Sequence, residues 1–201
     1  MSQQLPLTIV FGFRDRDAIR VQRCLDSLAA QTVKDFTVLF VDYGSQSEVA
    51  AAIRPIVASY PFCRYLYSDT RGYPWNRSRA LNIGIRQAAS TYTATSDVDM
   101  IFAPNFCAAV LQQATSQRLL QCRWHFLSRR FADWEQVSNY TGQFLLSGKS
   151  GLGGFQCAPT EAFHSLRGFD EFYHYYGVED RDVSHRLRLL GLEEVWLTES
   201  T

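Results

Sequence analysis

"TYTATSDVDM", residues 91–100, decides how the rest of the chain is read. Its first part mixes β-branched and small residues, and its end carries Asp97 and Asp99, one residue apart, shortly before Pro104. The stretch predicts a strand. Residues i and i+2 of a strand share a face, so the two carboxylates are expected to project together with Val98 turned the other way. Two carboxylates that close repel unless a cation is shared or one is protonated. Hard oxygen ligands at the mouth of a sheet suit Mg2+ or Mn2+, ions that keep water and recruit phosphate oxygens as further ligands. The same pattern is open to a plainer reading, a solvated turn in which one aspartate caps the helix that Pro104 starts.

Outward from this stretch the chain alternates. "LTIVFGF" (7–13), "FTVLFVD" (36–42), "CRYLYS" (63–68) and "LLQCRWHFL" (119–127) read as strands. Between them lie helical patterns: one with Val21, Leu25 and Leu28 closing near Gln31, one over 46–60, and one over "NRSRALNIGIRQAAS" (76–90). Strands alternating with helices predict a mostly parallel α/β sheet with right-handed crossovers. Ligands of such sheets sit at the carboxyl ends of the strands. Asp15, Asp42 and the Asp97/Asp99 pair each fall at or just after the end of a predicted strand.

The bulk properties narrow the classes. The chain has 201 residues, 46% of them hydrophobic, enough for one domain with a substantial core. Twenty basic residues balance twenty acidic ones, which removes the electrostatic argument for nucleic acid or an anionic membrane. Five scattered cysteines without a CxxC pair argue against a disulfide framework or a thiolate zinc site and for a reducing compartment. The opening "MSQQLPLTIVFGF" shows no signal peptide, no run of about 20 apolar residues occurs, and a cytoplasmic location is expected.

Two further stretches carry chemistry. Residues 128–154 break the rhythm with weak periodicity and five glycines, as a functional loop does. "GKS" (148–150) inside it is not a phosphate loop, because Gln143 stands where that motif needs glycine. "YYGVEDRDVSHRLRLLGLEEVWL" (175–197) predicts a helix with Val183, Leu187 and Leu190 on one face and Gly191 as its stop. Glu179, Asp180 and Asp182 occupy its first turn. Acids there favour the positive end of the helix dipole; beside Tyr175, Tyr176 and Gly177 they also fit a sugar pocket with a carboxylate as general base.

In this order the motifs resemble glycosyltransferases of the GT-A fold, in particular the β-1,4-galactosyltransferase-like and chondroitin-polymerase-like branch of the family 2 group. "FGFRDRDAIRVQRCLDSL" (11–28) looks like that family's first strand and nucleotide loop, and "VDYGS" (41–45) is similar to its uracil segment. "PWNRSRALNIGI" (74–85) is close to the stretch that leads into the metal motif, here "SDVDM" (96–100). "GLGGFQCAPTEAFHSLRGFDEFYHYYGVEDRDVSHRL" (151–187) looks like the acceptor region.

The resemblance implies one GT-A, Rossmann-like domain over 1–201, with a mostly parallel central sheet flanked by helices, a nucleotide-binding half at 1–100 and an acceptor-binding half at 101–201. It implies a nucleotide-sugar donor, most simply UDP-linked, held by Phe13, Arg14, Arg16, Asp42, Trp75, Arg77, Asp97, Val98, Gly153 and Gly154. Asp99 would ligate Mn2+ or Mg2+, and Asp97 would contact the ribose or reach the metal through water. Asp180 would take the acceptor proton in a single, inverting displacement, Glu179 would hold the acceptor or orient the base, and Tyr176 would stack on a sugar ring. The loop 128–151, with Trp134, would close over the donor. The implied partners are the donor and a glycan acceptor, without nucleic acid or a membrane-spanning segment.

Three departures stand out. Tyr43 replaces the family's second aspartate, and Arg181 stands where galactosyltransferases carry another acid. The family's metal-binding histidine lies further beyond the Glu-Asp pair than Thr201, so the chain is truncated or water or a donor oxygen completes the shell. Two rival readings remain open at this level. A nucleotidyltransferase would want a glycine-rich loop after the first strand, where "FGFRDRD" offers only Gly12. A non-catalytic sugar-nucleotide-binding module would keep the donor site alone.

Overall fold

The computed structural model describes residues 5–127, 145–148, 153–174 and 177–197. Its first half alternates as expected: β1 Leu7–Phe13, α1 Ala18–Ala29, β2 Phe36–Tyr43, α2 Ser47–Ala58, β3 Cys63–Ser68, α3 Arg77–Ile85 and β4 Tyr92–Ser96. Then come α4 Phe106–Gln113, β5 Arg118–Gln121, β6 His125–Phe126, β7 Leu145–Leu146, β8 Phe155–Pro159, α5 Thr160–Ser165, α6 Glu179–Leu189 and β9 Glu193–Trp196. Seven strands form one sheet in the order β3-β2-β1-β4-β8-β5-β9. Every neighbouring pair is parallel except the two made by β8. β6 and β7 pair as a separate antiparallel ribbon.

The alternation of side chains along β1 and β2 sorts the helices into two layers. Leu7, Ile9, Phe11 and Phe13 of β1 with Val38 and Phe40 of β2 pack with α1, α2 and α4. Val10 with Leu39, Val41 and Tyr43 packs with α3, α5 and α6. Central parallel strands covered on both faces need continuous apolar sequence, and β1 is buried along nearly its whole length. On α1, Val21, Cys24, Leu25 and Leu28 make the buried stripe, and the Asp17 side chain caps the helix by accepting from the Arg20 N–H at 3.0 Å. All five cysteines are free thiols, four of them buried.

α3 is buried on most of its circumference. Asn76 caps it by accepting from the Arg79 N–H at 2.8 Å. Asn82, 2% exposed, accepts from the Phe169 N–H and donates to the Phe169 carbonyl and to Glu171 Oε1, so the helix grips the loop that leads to α6. This employs Asn82 in holding the fold together.

Three expectations are corrected. β4 stops at Ser96, where its ladders with Phe11 and Phe155 end, and Asp97–Met100 forms a turn closed by the Met100 N–H and the Asp97 carbonyl at 3.4 Å. Asp97 and Asp99 therefore do not share a strand face. The 119–127 stretch divides into β5 and β6, which belong to different sheets, and the 76–90 helix ends at Ile85.

Helix propensity alone favours alanine over glycine by about 1 kcal/mol. At Gly84, however, an added Cβ would lie 2.3 Å from Val10 Cγ1 and 3.3 Å from Val41 Cγ2. Overpacking a closed core costs about 1–3 kcal/mol, so it outweighs propensity. Gly84→Ala is expected to lower the urea midpoint, and a raised midpoint would show slack between α3 and the sheet.

Candidate active site

β2 and β3 are added on one side of β1 and β4 on the other, so the order in which strands are laid down reverses between the parallel strands β1 and β4. The loops beyond that point diverge and leave a crevice. The loop after β1 is stitched to the loop after β2. Asp15, at φ 50°, donates its N–H to Ser45 Oγ at 3.0 Å and accepts from the Gln46 N–H at 2.8 Å. Gly44 turns at φ 75°, and a Cβ there would meet Thr70 Oγ1 at 2.6 Å. Arg14 donates to the Tyr73 carbonyl at 2.8 Å, which ties in the segment before α3.

Asp42 takes a different place from the one the resemblance implies. It is fully buried; Oδ1 accepts from the Ser45 N–H at 2.8 Å and Oδ2 from the Tyr65 hydroxyl at 2.6 Å. Burial, reinforced by the Asp42 carboxylate, pushes the Tyr65 hydroxyl well above its ordinary pKa. The pair seals the turn after β2 and offers no open carboxylate to a nucleotide. Tyr43, at the position of the expected second acid, is also buried, with its ring edge-on to Trp75 at 5.9 Å. Trp75 is half-buried, 3.6 Å from where a Gly12 Cβ would stand. Phe13 and Val98 have their side chains in the core, which leaves their backbones for any ligand.

Arg77, first residue of α3, joins the elements of the site. Its Nε and Nη2 reach Asp97 Oδ1 at 3.1 and 3.0 Å, and Nη2 donates to the Gly153 carbonyl at 2.8 Å. Nη1 stands 3.5 Å from Glu179 Oε1. It is buried and makes no hydrogen bond among the described residues. Burial opposes the guanidinium charge, but Asp97, Glu179 and Asp180 outweigh it and hold the pKa above the usual arginine value. Side-chain exposure is 15% for Arg77 and 13% for Glu179, against 44% for Asp97. Water therefore screens the Glu179 pair least, while Asp97 takes the better hydrogen-bond geometry. Asp99 faces Arg20 at 3.7 Å and Arg16 at 4.0 Å instead.

The acidic helix arrives from the other side. The first turn of α6 presents Glu179, Asp180 and Asp182. Asp182 pairs with Arg186 at 2.8 Å and is structural. Asp180 Oδ1 accepts from the Arg181 N–H at 2.8 Å, and its carbonyl accepts from Gln156 Nε2 at 2.9 Å. Its other oxygen faces Gly153. A Cβ on Gly153 would lie 3.3 Å from Asp180 Oδ2, 3.8 Å from Arg77 Nη2 and 3.9 Å from Asp97 Oδ2. The chain enters α6 through Val178 at φ 51°, a conformation that strains a β-branched residue and that clusters at functional sites.

The structure thus gathers Arg77, Asp97, Gly153, Glu179 and Asp180 around one space, with Asp99 and Arg16 on the α1 side of the same turn. Gly154 has a packing reason instead, since a Cβ there would run into the Trp124 ring at 2.4 Å. Tyr176 and Trp134 lie outside the described residues, as does most of the loop 128–151. Sequence reading missed Arg20, which reaches Asp99 from the first turn of α1 while Arg16 reaches it from the loop before the helix. It also missed Gln156, which carries no motif and was legible only from the fold.

A divalent cation fits the turn. Asp97 and Asp99 are partly exposed hard oxygen donors, at 44% and 32%. Among the described residues no three His, Cys, Asp or Glu side chains come together as a ligand group, so a cation held here would draw the rest of its shell from water and phosphate oxygens. No helix of the described residues is long and apolar enough to cross a membrane.

The family model for glycosyl transferase family 2 matches residues 13–167, well over half of the chain. A second, described as N-terminal domain of galactosyltransferase, matches residues 137–199. No curated protein matches the sequence. Among solved structures, the chain is similar to a mannosyltransferase from Pyrobaculum calidifontis in complex with GDP-Man and Mn2+, at 18% identity and TM-score 0.69, covering 99% of this chain and 56% of that one. It is similar to a D211N mutant of Drosophila β-1,4-galactosyltransferase 7 with manganese, UDP-Gal and xylobiose, at 16% identity and TM-score 0.60, covering 96% and 65%. It is also similar to GalNAc-T7 with UDP, GalNAc and Mn2+, at 14% identity and TM-score 0.70, covering 96% and 42%. The chain spans less than two thirds of each of these three proteins.

The two adjacent glycines give opposite expectations. Gly154→Ala drives a methyl into Trp124 and should cost about 1–3 kcal/mol of stability in urea denaturation. Gly153→Ala should leave stability within about 0.5 kcal/mol, because only side-chain atoms face it, while weakening ligand binding in the crevice. Equal stability losses in the two variants would refute this division.

Proposed function

This chain belongs to glycosyl transferase family 2, and from that premise we propose that it transfers a sugar from a nucleotide-sugar donor to a hydroxyl of a glycan acceptor, with inversion and with a divalent cation. The observation that carries this reading is the convergence of Asp97 from the β4 turn, Arg77 from α3, Gly153 from the start of β8 and Glu179–Asp180 from α6. A donor across the carboxyl ends of β1 and β4 places its diphosphate between Asp97 and Asp99 on one side and Arg77 on the other. Mn2+ or Mg2+ held by Asp99, with Asp97 on the ribose or reaching the ion through water, would supply Lewis-acid neutralisation of the diphosphate leaving group.

The protein's own groups do the rest. Gly153 leaves room for the donor sugar between two carboxylates. Asp180 Oδ2, on the open side of that space, accepts the proton of the attacking hydroxyl. The Arg181 N–H on Oδ1 and Gln156 on the Asp180 carbonyl fix its orientation. Glu179, held by Arg77, orients the acceptor. One base opposite the leaving group gives a single displacement and inversion of the anomeric centre. Tyr176 and the 128–151 loop belong to this reading as the acceptor stacking surface and the cover.

The nucleotide is UDP in this proposal, on the sequence resemblance. The sealed Asp42 moves base recognition to the backbones of the Arg14–Asp17 and Gly44–Gln46 loops. The arginines on both aspartates favour a second reading, a module that binds sugar nucleotides without turnover.

Metal-dependent release of UDP from UDP-sugars separates the two readings. Asp180→Asn should lower that release about 10²–10⁴-fold, the usual range for loss of a general base. Donor binding, measured by thermal shift with UDP-sugar and Mn2+, should stay unchanged. Normal turnover by Asp180→Asn would remove the base assignment, and absence of turnover in the unsubstituted protein would favour the binding module.

A further inference from the structure

We propose that Arg77 is the resident counter-ion of Asp97 and that it makes divalent-cation binding at this site conditional on a bound diphosphate. The inference rests on the reading of Asp97 and Asp99 as the cation ligands. It begins with one oxygen. Asp97 Oδ1 takes contacts from both Nε and Nη2 of Arg77, at 3.1 and 3.0 Å. A guanidinium cannot yield by losing its proton, and here it is not free to swing away. The Gly153 carbonyl holds Nη2 at 2.8 Å, Glu179 stands at 3.5 Å, and α3 anchors the residue at its capped first turn.

A cation that coordinates Asp97 alone must share that carboxylate with a fixed positive charge. Like charges that share one carboxylate repel each other. The same holds next door, where Arg20 and Arg16 approach Asp99 at 3.7 and 4.0 Å. A bare cation thus meets two acids that each already face an arginine.

A diphosphate reverses the balance. Its oxygens bring the negative charge that lets the cation and the guanidinium stay side by side. Arg77 also has a donor in reserve, because Nη1 is buried without a hydrogen bond among the described residues. Its charged neighbour is Glu179, at 3.5 Å; a buried donor without a hydrogen bond is unfavourable, and an anionic oxygen is the acceptor that satisfies it best. Cation and diphosphate therefore each strengthen the binding of the other, and Arg77 is the group through which they are coupled. In the absence of donor the guanidinium stays on Asp97 and keeps Glu179 paired.

The test measures Mn2+ binding by electron paramagnetic resonance on the unsubstituted protein and on Arg77→Gln, with and without UDP. Without nucleotide, Arg77→Gln should bind Mn2+ at least ten-fold more tightly than the unsubstituted protein. UDP should strengthen Mn2+ binding at least ten-fold more in the unsubstituted protein than in the variant. A folded Arg77→Gln with equal or weaker Mn2+ affinity overturns the inference alone, and absence of Mn2+ binding in every sample overturns it together with the cation reading. A second measurement needs no variant. The Nε–H resonance of Arg77 should move when Mg2+ and UDP are added together and stay in place with the same concentration of Mg2+ alone; an equal shift with Mg2+ alone overturns the inference.

Discussion

One buried guanidinium sets the terms for the crevice. Arg77 stands among Asp97, Glu179 and Asp180, and without it three carboxylates would face one another at the end of a sheet. Desolvation works against the charge of Arg77, and the surrounding acids more than compensate. Because Arg77 also donates to the Gly153 carbonyl, a single side chain ties the turn after β4, the start of β8 and the first turn of α6.

Arg77 can do this because α3 is held from every side. Asn76 caps the helix and also donates to the Glu171 carbonyl at 2.9 Å, while Asn82 clasps the segment at Phe169. Glu171 pairs in turn with Arg79 at 3.2 Å. Gly84 packs so closely on Val10 that an added Cβ would lie 2.3 Å from Val10 Cγ1. The polar clasps hold the segment Phe169–Glu171, and α6 itself is seated on the sheet, where Gln121 of β5 donates to Ser184 Oγ at 2.8 Å. Gln156, which donates to both the Asp180 carbonyl and Ser184 Oγ, adds the one direct link from β8.

The central strands and their layers were legible because strands buried on both faces must be written as unbroken apolar runs; "LTIVFGF" is β1 from first residue to last. β8 was not legible. It is five residues long, carries Gln156 as its second residue and Pro159 as its last, and it runs against the parallel rhythm. The end of β4 was misplaced because a strand stops where its neighbours stop, which a single sequence does not show. In the crevice, the acids announced themselves by spacing, and the structure brings Asp97 and Asp180 to the two sides of Gly153. Their arginine partners did not, since Arg77 meets Glu179 across 102 positions of sequence. Asp42 looked like an open carboxylate only because its seal, Tyr65, comes from the next strand.

The account stands on the acids of the β4 turn sharing a divalent cation with a donor diphosphate. Anomalous diffraction from a crystal grown with Mn2+ and UDP addresses this most directly. The account predicts a manganese peak at the Asp99 carboxylate, adjacent to Asp97 and to the diphosphate, with Arg77 Nη1 on a phosphate oxygen. A bound nucleotide with no manganese at these residues, and with Asp97 and Asp99 still on their arginines, would contradict it.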